Sequence, residues 1–456
     1  MSRLLEFPNE TLLQIIEEVV QIELENLTLS CKRFGILGEK ALQKHRLRKA
    51  NYTKINCIPA EPRLTKYLLH PTELLRDVLV DRDIAPYPEI VIAPRFFSRE
   101  KPTVEAIEEA SQVLHGLDKK IEAAIEQNTC GCRGYGDDWG HKIFNGDLLA
   151  TFTLLLYMLP NVRSLSANLQ LRLRSKGLPA MISRIGACPC QHGGEPHALS
   201  KLAEASVQEG DCRSLLPFGG IPSLRSLHGI DMYDFLGNAD RLKYGSAVTT
   251  LTLENSTICV IAVEQLIQNI KGLKHFKLSY NIVGRPLAPW APSVIVQSLV
   301  KSAHGTLETL DLTSGENPGK FSSSWRGKIF IGYLRGFRRL ERIRINNDMF
   351  EMMWDEEWKI SGIRLEFRPV VELLPRSVVS LTLTLPVVQG GASWLLQGLA
   401  GQKKDFPKLK EIVFEDSNDL DEDTEACNGV GISIRHLKQE DIYSSVVQGF
   451  ETLKLH

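Results

Sequence analysis

The residues best suited to chemistry sit in two glycine- and proline-marked loops. One carries Cys130-Gly131-Cys132 and the other Cys188-Pro189-Cys190-Gln191-His192, with His141 and His197 nearby in sequence. Four thiolates, or three with an imidazole, make a tetrahedral zinc site, because the deprotonated sulfur is a strong donor to Zn2+. Cys130, Cys132, Cys188 and Cys190 are therefore the metal-ligand set to consider, holding a structural zinc that staples the two loops. Against it, a C-x-C step is tighter than the usual spacing and the two pairs lie far apart in sequence. Unligated loop cysteines are the plain alternative. Asp137-Asp138-Trp139-Gly140-His141 adds two carboxylates and an imidazole. Acid–base work needs such groups to converge on a nucleophile or metal, and no partner is evident. No G-x-S-x-G, G-x-x-x-x-G-K-[ST] or H-E-x-x-H occurs, and Gly319-Lys320 lacks the preceding glycine of a phosphate loop. A protein that is not an enzyme is expected, with no cofactor other than that candidate zinc.

Composition narrows the partners. Lys and Arg number 54 against 55 Asp and Glu, a net charge of −1. That balance argues against a general nucleic-acid binder, which carries a basic excess. The nearly apolar run Leu148 to Leu159 is too short for the roughly 20 residues that cross a bilayer, so no membrane partner is expected. No apolar stretch of signal-peptide length opens the chain. Nine cysteines, an odd number, then read as reduced thiols, and the expected location is cytoplasmic or nuclear. At 456 residues with 43% apolar content, the chain can bury a core and is long enough for several domains or one repeat array.

The elements that must position these residues begin with a helical hairpin. Pro8 suits the first turn of a helix, where its missing N–H costs nothing. Leu12, Ile15, Ile16, Val19 and Val20 follow at helical spacing, with Leu13 widening the stripe and Gln14, Glu17 and Glu18 opposite. After a break at Gln21-Ile22-Glu23, the steps Leu24, Leu27, Cys31, Phe34, Leu37 and Ala41 predict a second helix. So small a module cannot bury all its apolar residues alone. Some must pack on the rest of the chain or on another protein.

The residues resemble an F-box. The pattern reads Phe7-Pro8-Asn9-Glu10, Leu12-Leu13-Gln14-Ile15-Ile16, Glu23-Leu24-Glu25-Asn26-Leu27 and Leu29-Ser30-Cys31-Lys32-Arg33-Phe34, over about residues 4–45. Phe7 stands where Leu is commoner. The resemblance implies docking on the Skp adaptor of a cullin ubiquitin-ligase complex through Phe7, Pro8, Leu12, Leu13, Ile16, Leu24, Leu27 and Cys31. The plain alternative is an amphipathic hairpin packing on its own domain.

Beyond it, a helical spacing of +3, +1, +3 recurs: Phe152, Leu155, Leu156, Leu159; Val263, Leu266, Ile267, Ile270; Val296, Leu299, Val300, Ala303; Phe330, Tyr333, Leu334, Phe337; Ala392, Leu395, Leu396, Leu399. Apolar-x-x-apolar-x-apolar follows it, as Val162, Leu165, Ala167; Leu273, Phe276, Leu278; Leu307, Leu310, Leu312; Leu340, Ile343, Ile345; and Leu409, Ile412, Phe414. Related strands fall at Leu224 to Leu227, Val248 to Leu253 and Val378 to Leu385. Alternating helices and short strands at such spacing stack economically as parallel strands of a solenoid. The pattern is similar to leucine-rich repeats, although only Leu273-Phe276-Leu278-Asn281 completes the form with its turn Asn. Ile345-x-x-Asp348 and Leu253-x-x-Ser256 are weaker versions.

The expected fold is α/β, an F-box hairpin over residues 1–48 and an irregular leucine-rich-repeat-like solenoid of helix–parallel strand repeats over 49–456, with insertions near 100–145 and 170–215. Residues 101–128 read as one long helix on its flank. Large sets of fungal F-box proteins share this combination, which implies a substrate-recognition subunit whose repeats present an unknown protein substrate. A repeat scaffold without a ligase role is the alternative, and a metal-stapled enzyme a third. The solvent side of the strands would carry Thr250, Thr252, Glu254, His275, Lys277, Ser279, Thr309, Asp311, Thr313, Arg342, Arg344, Asn346, Thr382, Thr384, Glu411 and Glu415. Of these His275, Lys277, Asp311, Arg342 and Arg344 are the substrate-binding candidates, for a charged peptide or a phosphate that Arg pairs well with. Polar solvated strand faces are ordinary, which is the plain alternative. Lys44 to Lys49 is a basic run that suits a helix C-terminus or a localisation signal, and Asp416 to Glu425 an acidic, solvated loop.

Overall fold

Four helices, not two, stand among the described residues before Thr53 in the computed structural model: α1 (Asn9–Glu18), α2 (Gln21–Ser30), α3 (Lys32–Leu37) and α4 (Glu39–Tyr52). The expected second helix breaks twice. Cys31 is extended, and its Sγ accepts the Phe34 N–H at 3.4 Å as the cap of α3. Gly38 joins α3 to α4 where a Cβ would meet Thr28 Cγ2 at 2.7 Å and the Phe34 carbonyl oxygen at 2.9 Å. The apolar spacing runs across both breaks because each short helix turns its apolar residues to the same core. Leu12, Ile16, Leu24 and Phe34 are buried there, with Ile15, Leu27, Cys31, Leu37 and Ala41 packed against them.

The structure describes residues 6–19, 21–57, 70–95, 104–128, 139–168, 182, 198–233, 246–281, 291–314, 334–346, 370–384, 396, 398–415 and 427–437. The chain divides into two compact units, Met1–Ser206 and Val207–His456. Position 48, expected to end the first module, lies inside α4.

In the first unit, β1 (Lys54–Asn56), β2 (Ile90–Arg95) and β3 (Ser164–Asn168) pair in parallel and in chain order. Helix α5 (Pro71–Val80) opens on a capping box of His70 and Glu73 with Pro71 in its first turn, which satisfies amides the helix itself leaves free. The one helix expected over 101–128 is two over the described residues 104–128, α6 (Val104–Val113) and α7 (Asp118–Asn128), with Gly116 between them at φ +77°, a conformation that favours glycine. Leu114, Ile121 and Ala124 join Leu75, Leu79, Trp139, Ile143 and Leu154 in one buried cluster with α8 (Trp139–Phe144) and α9 (Leu148–Met158). The apolar run at Leu148 to Leu159 is thus a core helix, and Asp147 Oδ1 caps it from the Leu149 and Ala150 amides at 3.0 Å each. No helix among the described residues is long and apolar enough to cross a membrane.

Strand β4 (Glu204–Gln208) contains the division. In the second unit β5 (Ser226–Ile230), β6 (Thr250–Ser256), β7 (His275–Tyr280), β8 (Thr309–Ser314), β9 (Arg342–Asn346), β10 (Ser380–Thr384), β11 (Glu411–Glu415) and β12 (Ser433–Leu437) pair each with the next, all parallel. The repeated pattern has a plain cause. Its last two apolar positions point from the strand into the core, as Phe276 and Leu278 do, and its first anchors the segment before the strand. Leu224, Val248, Leu273, Leu307, Leu340, Val378 and Leu409 are all fully buried. Helices α10 (Val260–Gln268) and α11 (Pro292–Ala303) precede β7 and β8. Of the helix expected over Phe330 to Phe337, Phe330 and Tyr333 lie outside the described residues, and Leu334–Gly336 is a 3-10 turn. A Cβ on Gly336 would meet Val300 Cγ1 at 2.9 Å. Before β10 stands the short α12 (Val370–Leu373). Leu396 and Leu399 are buried, while Ala392 and Leu395 lie outside the described residues. The α/β class and a helix–parallel strand repeat are therefore the architecture seen here.

Candidate functional site

Cys130, Cys132, Cys188, Cys190, His192 and His197, with Asp137 and Asp138, lie outside the described residues. Among the described residues no group of three His, Cys, Asp or Glu side chains could hold a metal. His141 is exposed on α8, 2.7 Å from Asn145 Nδ2, and Trp139 is buried, its Nε1 donating to the Ala150 carbonyl at 3.1 Å. Cys57 is buried in the first unit, which pushes its thiol up to about 12. It stays protonated and unreactive at neutral pH.

At the N-terminal module the residues named for docking divide in two. Leu12, Ile16 and Leu24 are buried in the module's own core, so they hold it together and are not free to meet a partner. Leu27 and Cys31 are half-buried against that core. Phe7 and Leu13 are 46% and 38% exposed, and Pro8 is exposed beside them. Arg33 fixes this end of α1, donating to the Phe7 carbonyl at 3.0 Å and to Asn9 Oδ1 at 2.6 Å. The sequence reading missed Leu29, 77% exposed, and Ile36, 65% exposed. Each stands two residues past a member of the buried stripe, Leu27 and Phe34, and so on the other side of its helix. An apolar residue out of phase with its stripe is the signal that finds them.

Helix α4 ties this module to the rest of the first unit. His45 is buried, with Nδ1 2.8 Å from Tyr87 Oη and Nε2 3.5 Å from Glu25 Oε1 on α2. Burial pushes its pKa down, against the opposing pull of the Glu25 carboxylate. One turn on, Arg48 pairs with Asp81 and with Asp83 at 3.1 Å, and Tyr52 donates to Asp77 Oδ2 at 3.3 Å.

The polar side of the second unit's strands is the other surface with built chemistry. Parallel register sets Lys277, Asp311 and Arg344 side by side on β7, β8 and β9. Lys277 Nζ lies 2.6 Å from Glu254 Oε1, and His228 Nε2 lies 3.2 Å from Glu254 Oε2. The nearby His228 ring, and then the donating Lys277 ammonium, hold the Glu254 carboxyl down at about 2. Arg344 reaches Asp311 Oδ2 at 3.3 Å and Glu415 Oε2 at 2.9 Å, spanning β8, β9 and β11. Burial raises the Asp311 pKa, although Arg344 and Lys277 pull it down. The charges expected to read a substrate are thus largely answered within the sheet. A phosphate at Arg344 would have to displace two carboxylates. His275 Nδ1 is 3.2 Å from Thr309 Oγ1, and Arg342 stands exposed at the start of β9.

Two residues expected on this face are inside. Asn346 and Thr384 are buried at the ends of β9 and β10, where the alternation gives way to two buried residues in succession. Asn346 Oδ1 accepts the Ser314 N–H at 3.0 Å. Ser256 does the same work on β6, accepting the Met232 N–H at 3.1 Å and donating to the Glu254 carbonyl at 2.7 Å. The turn residue Asn281 instead donates at 2.6 Å to exposed Asn255, which sits at φ +50°.

Neither a scan against protein-family models nor a search of the curated proteins finds a match to this chain.

Proposed function

We propose that the chain is the substrate-recognition subunit of a Skp–cullin–F-box ubiquitin ligase, docking on the Skp adaptor through its N-terminal helices and on a target protein through the repeats. The observation that carries this reading is the N-terminal module, whose motif residues fall in register with the F-box pattern while Phe7, Leu13, Leu29 and Ile36 stay exposed. Exposed apolar side chains that a small module leaves unburied are what a partner surface requires. Catalysis belongs in this reading to partner subunits, the receptor contributing proximity.

The test is a pull-down with purified Skp adaptor. Leu13→Asp/Ile36→Asp alters exposed positions and spares the core, unlike any change at Leu12. The wild type is expected to retain the adaptor and the double variant, folded by circular dichroism, to lose it. A wild type that does not bind would leave a repeat scaffold without a ligase role.

A further inference from the structure

A cleft of about 420 Å3 opens in the first unit between α4, the end of α5 with the turn that follows it, and α7. Three cations reach it from three elements: Lys44 on α4, Arg82 in the turn and Lys120 on α7. Lys120 Nζ donates to the Leu79 carbonyl at 3.0 Å, which holds its ammonium at the wall. The two carboxylates of the lining, Asp81 and Asp83, are both taken by the buried Arg48 guanidinium. Asp81 Oδ1 also accepts the Asp83 N–H at 3.2 Å. With Arg48 answering those carboxylates, the cleft faces solvent with an excess of positive charge, and exposed Val80 gives it one apolar wall.

We propose that this cleft binds a phosphate monoester. One guanidinium and two ammonium groups approaching from separate elements suit a tetrahedral group that spreads about −1.5 to −2 charge over three oxygens. A carboxylate offers one charge and two oxygens in a plane, and would leave one cation unanswered. The apolar wall suits the carbon next to the ester oxygen. Screening by salt should weaken the binding, since all three cations are exposed. The proposal does not rest on the ligase reading, and its site is remote in sequence from the strand face of the second unit.

Isothermal titration of the full chain at low salt with O-phosphoserine, serine and inorganic phosphate tests it. O-phosphoserine is expected to bind saturably and serine not at all. Inorganic phosphate binding as well as O-phosphoserine would support the site with free phosphate as its source; weaker binding would favour a phosphorylated side chain. Lys44→Ala/Arg82→Ala/Lys120→Ala should weaken binding by about tenfold or more, while Lys301→Ala, at an exposed position of α11 in the second unit, leaves it unchanged. No saturable binding of either anion, or a folded triple variant that binds as tightly as the wild type, overturns the proposal.

Discussion

His45 shows how much one side chain can carry at the joint of three elements. It sits on α4, touches Tyr87 from the loop before β2, and faces Glu25 on α2, with Lys49 and Arg46 on its own helix adding positive charge nearby. Burial and the two cations favour the neutral ring; Glu25 favours the charged one, and the neutral form wins. In an unfolded chain the same imidazole takes a proton near pH 6.5. As the pH falls below that value the unfolded state therefore binds more protons than the folded state, and stability is lost as the pH falls toward the lowered folded pKa. Urea unfolding at about pH 7.5 and about pH 5.5 should show a lower midpoint in the acid sample, and a smaller drop for His45→Gln. Equal drops in both proteins would place the acid sensitivity elsewhere. Arg344 makes a different point at the same scale. Its type and strand position were readable in the sequence, but its two carboxylate partners were not, because Glu415 lies 71 residues away and only the stacked sheet brings it near.

At the scale of elements, Gly38 decides whether α3 and α4 can turn against α2. A valine there would drive its Cβ into Thr28 and the Phe34 carbonyl. Overpacking of this kind costs about 1–3 kcal/mol, and backbone cannot move aside as a side-chain end can. Gly38→Val should lower amide-exchange protection across residues 9–52 while the strands of the second unit keep theirs; unchanged protection in α2 to α4 would mean that the turn has room to adjust. The same joint explains a limit of the sequence reading. Apolar steps of three and four residues report which side chains share a core, and they were right about Phe34 and Leu37. They do not report whether the helix is continuous, which Cys31 and Gly38 settle by capping and close approach. Strands with a leading anchor, such as Leu273 before Phe276, were legible because three buried positions repeat at fixed spacing. β1 and β2 went unread although Tyr52-x-x-Ile55-x-Cys57 and Pro88-x-x-Val91-x-Ala93 keep the spacing, because their leading positions are not the Leu or Val that anchors the later strands. Leu202-x-x-Ala205-x-Val207 has it, all three buried, but the small Ala205 hid β4 among glycine-rich neighbours. Asn346 was misplaced because strict alternation fails at the end of a strand that must also cap its neighbour's backbone at Ser314, and Thr384 because it pairs with Asn346 at the same buried end of the next strand.

At the scale of the whole molecule, the ligase reading divides the labour between the two compact units, and that division can be tested without knowing the target. Leu13 and Ile36 belong to the first unit and Arg342 to the second. All three are exposed, so substitution there should leave the fold near its wild-type stability. Changes at sites with no shared partners act independently. Leu13→Asp/Ile36→Asp is therefore expected to abolish adaptor binding while target capture persists. Arg342→Glu should do the reverse, reversing charge on a polar face whose other charges are already paired and so weakening an electrostatically matched target. Quantitative proteomics reads the outcome in cells lacking the chain and complemented with each variant. Proteins that accumulate in its absence should be cleared by the wild type and by neither variant. Only Leu13→Asp/Ile36→Asp should still be found crosslinked to them. Clearance by the adaptor-deficient variant would remove the ligase role and leave the repeats as a scaffold. Clearance by Arg342→Glu as complete as by the wild type would move the target site off the polar strand face.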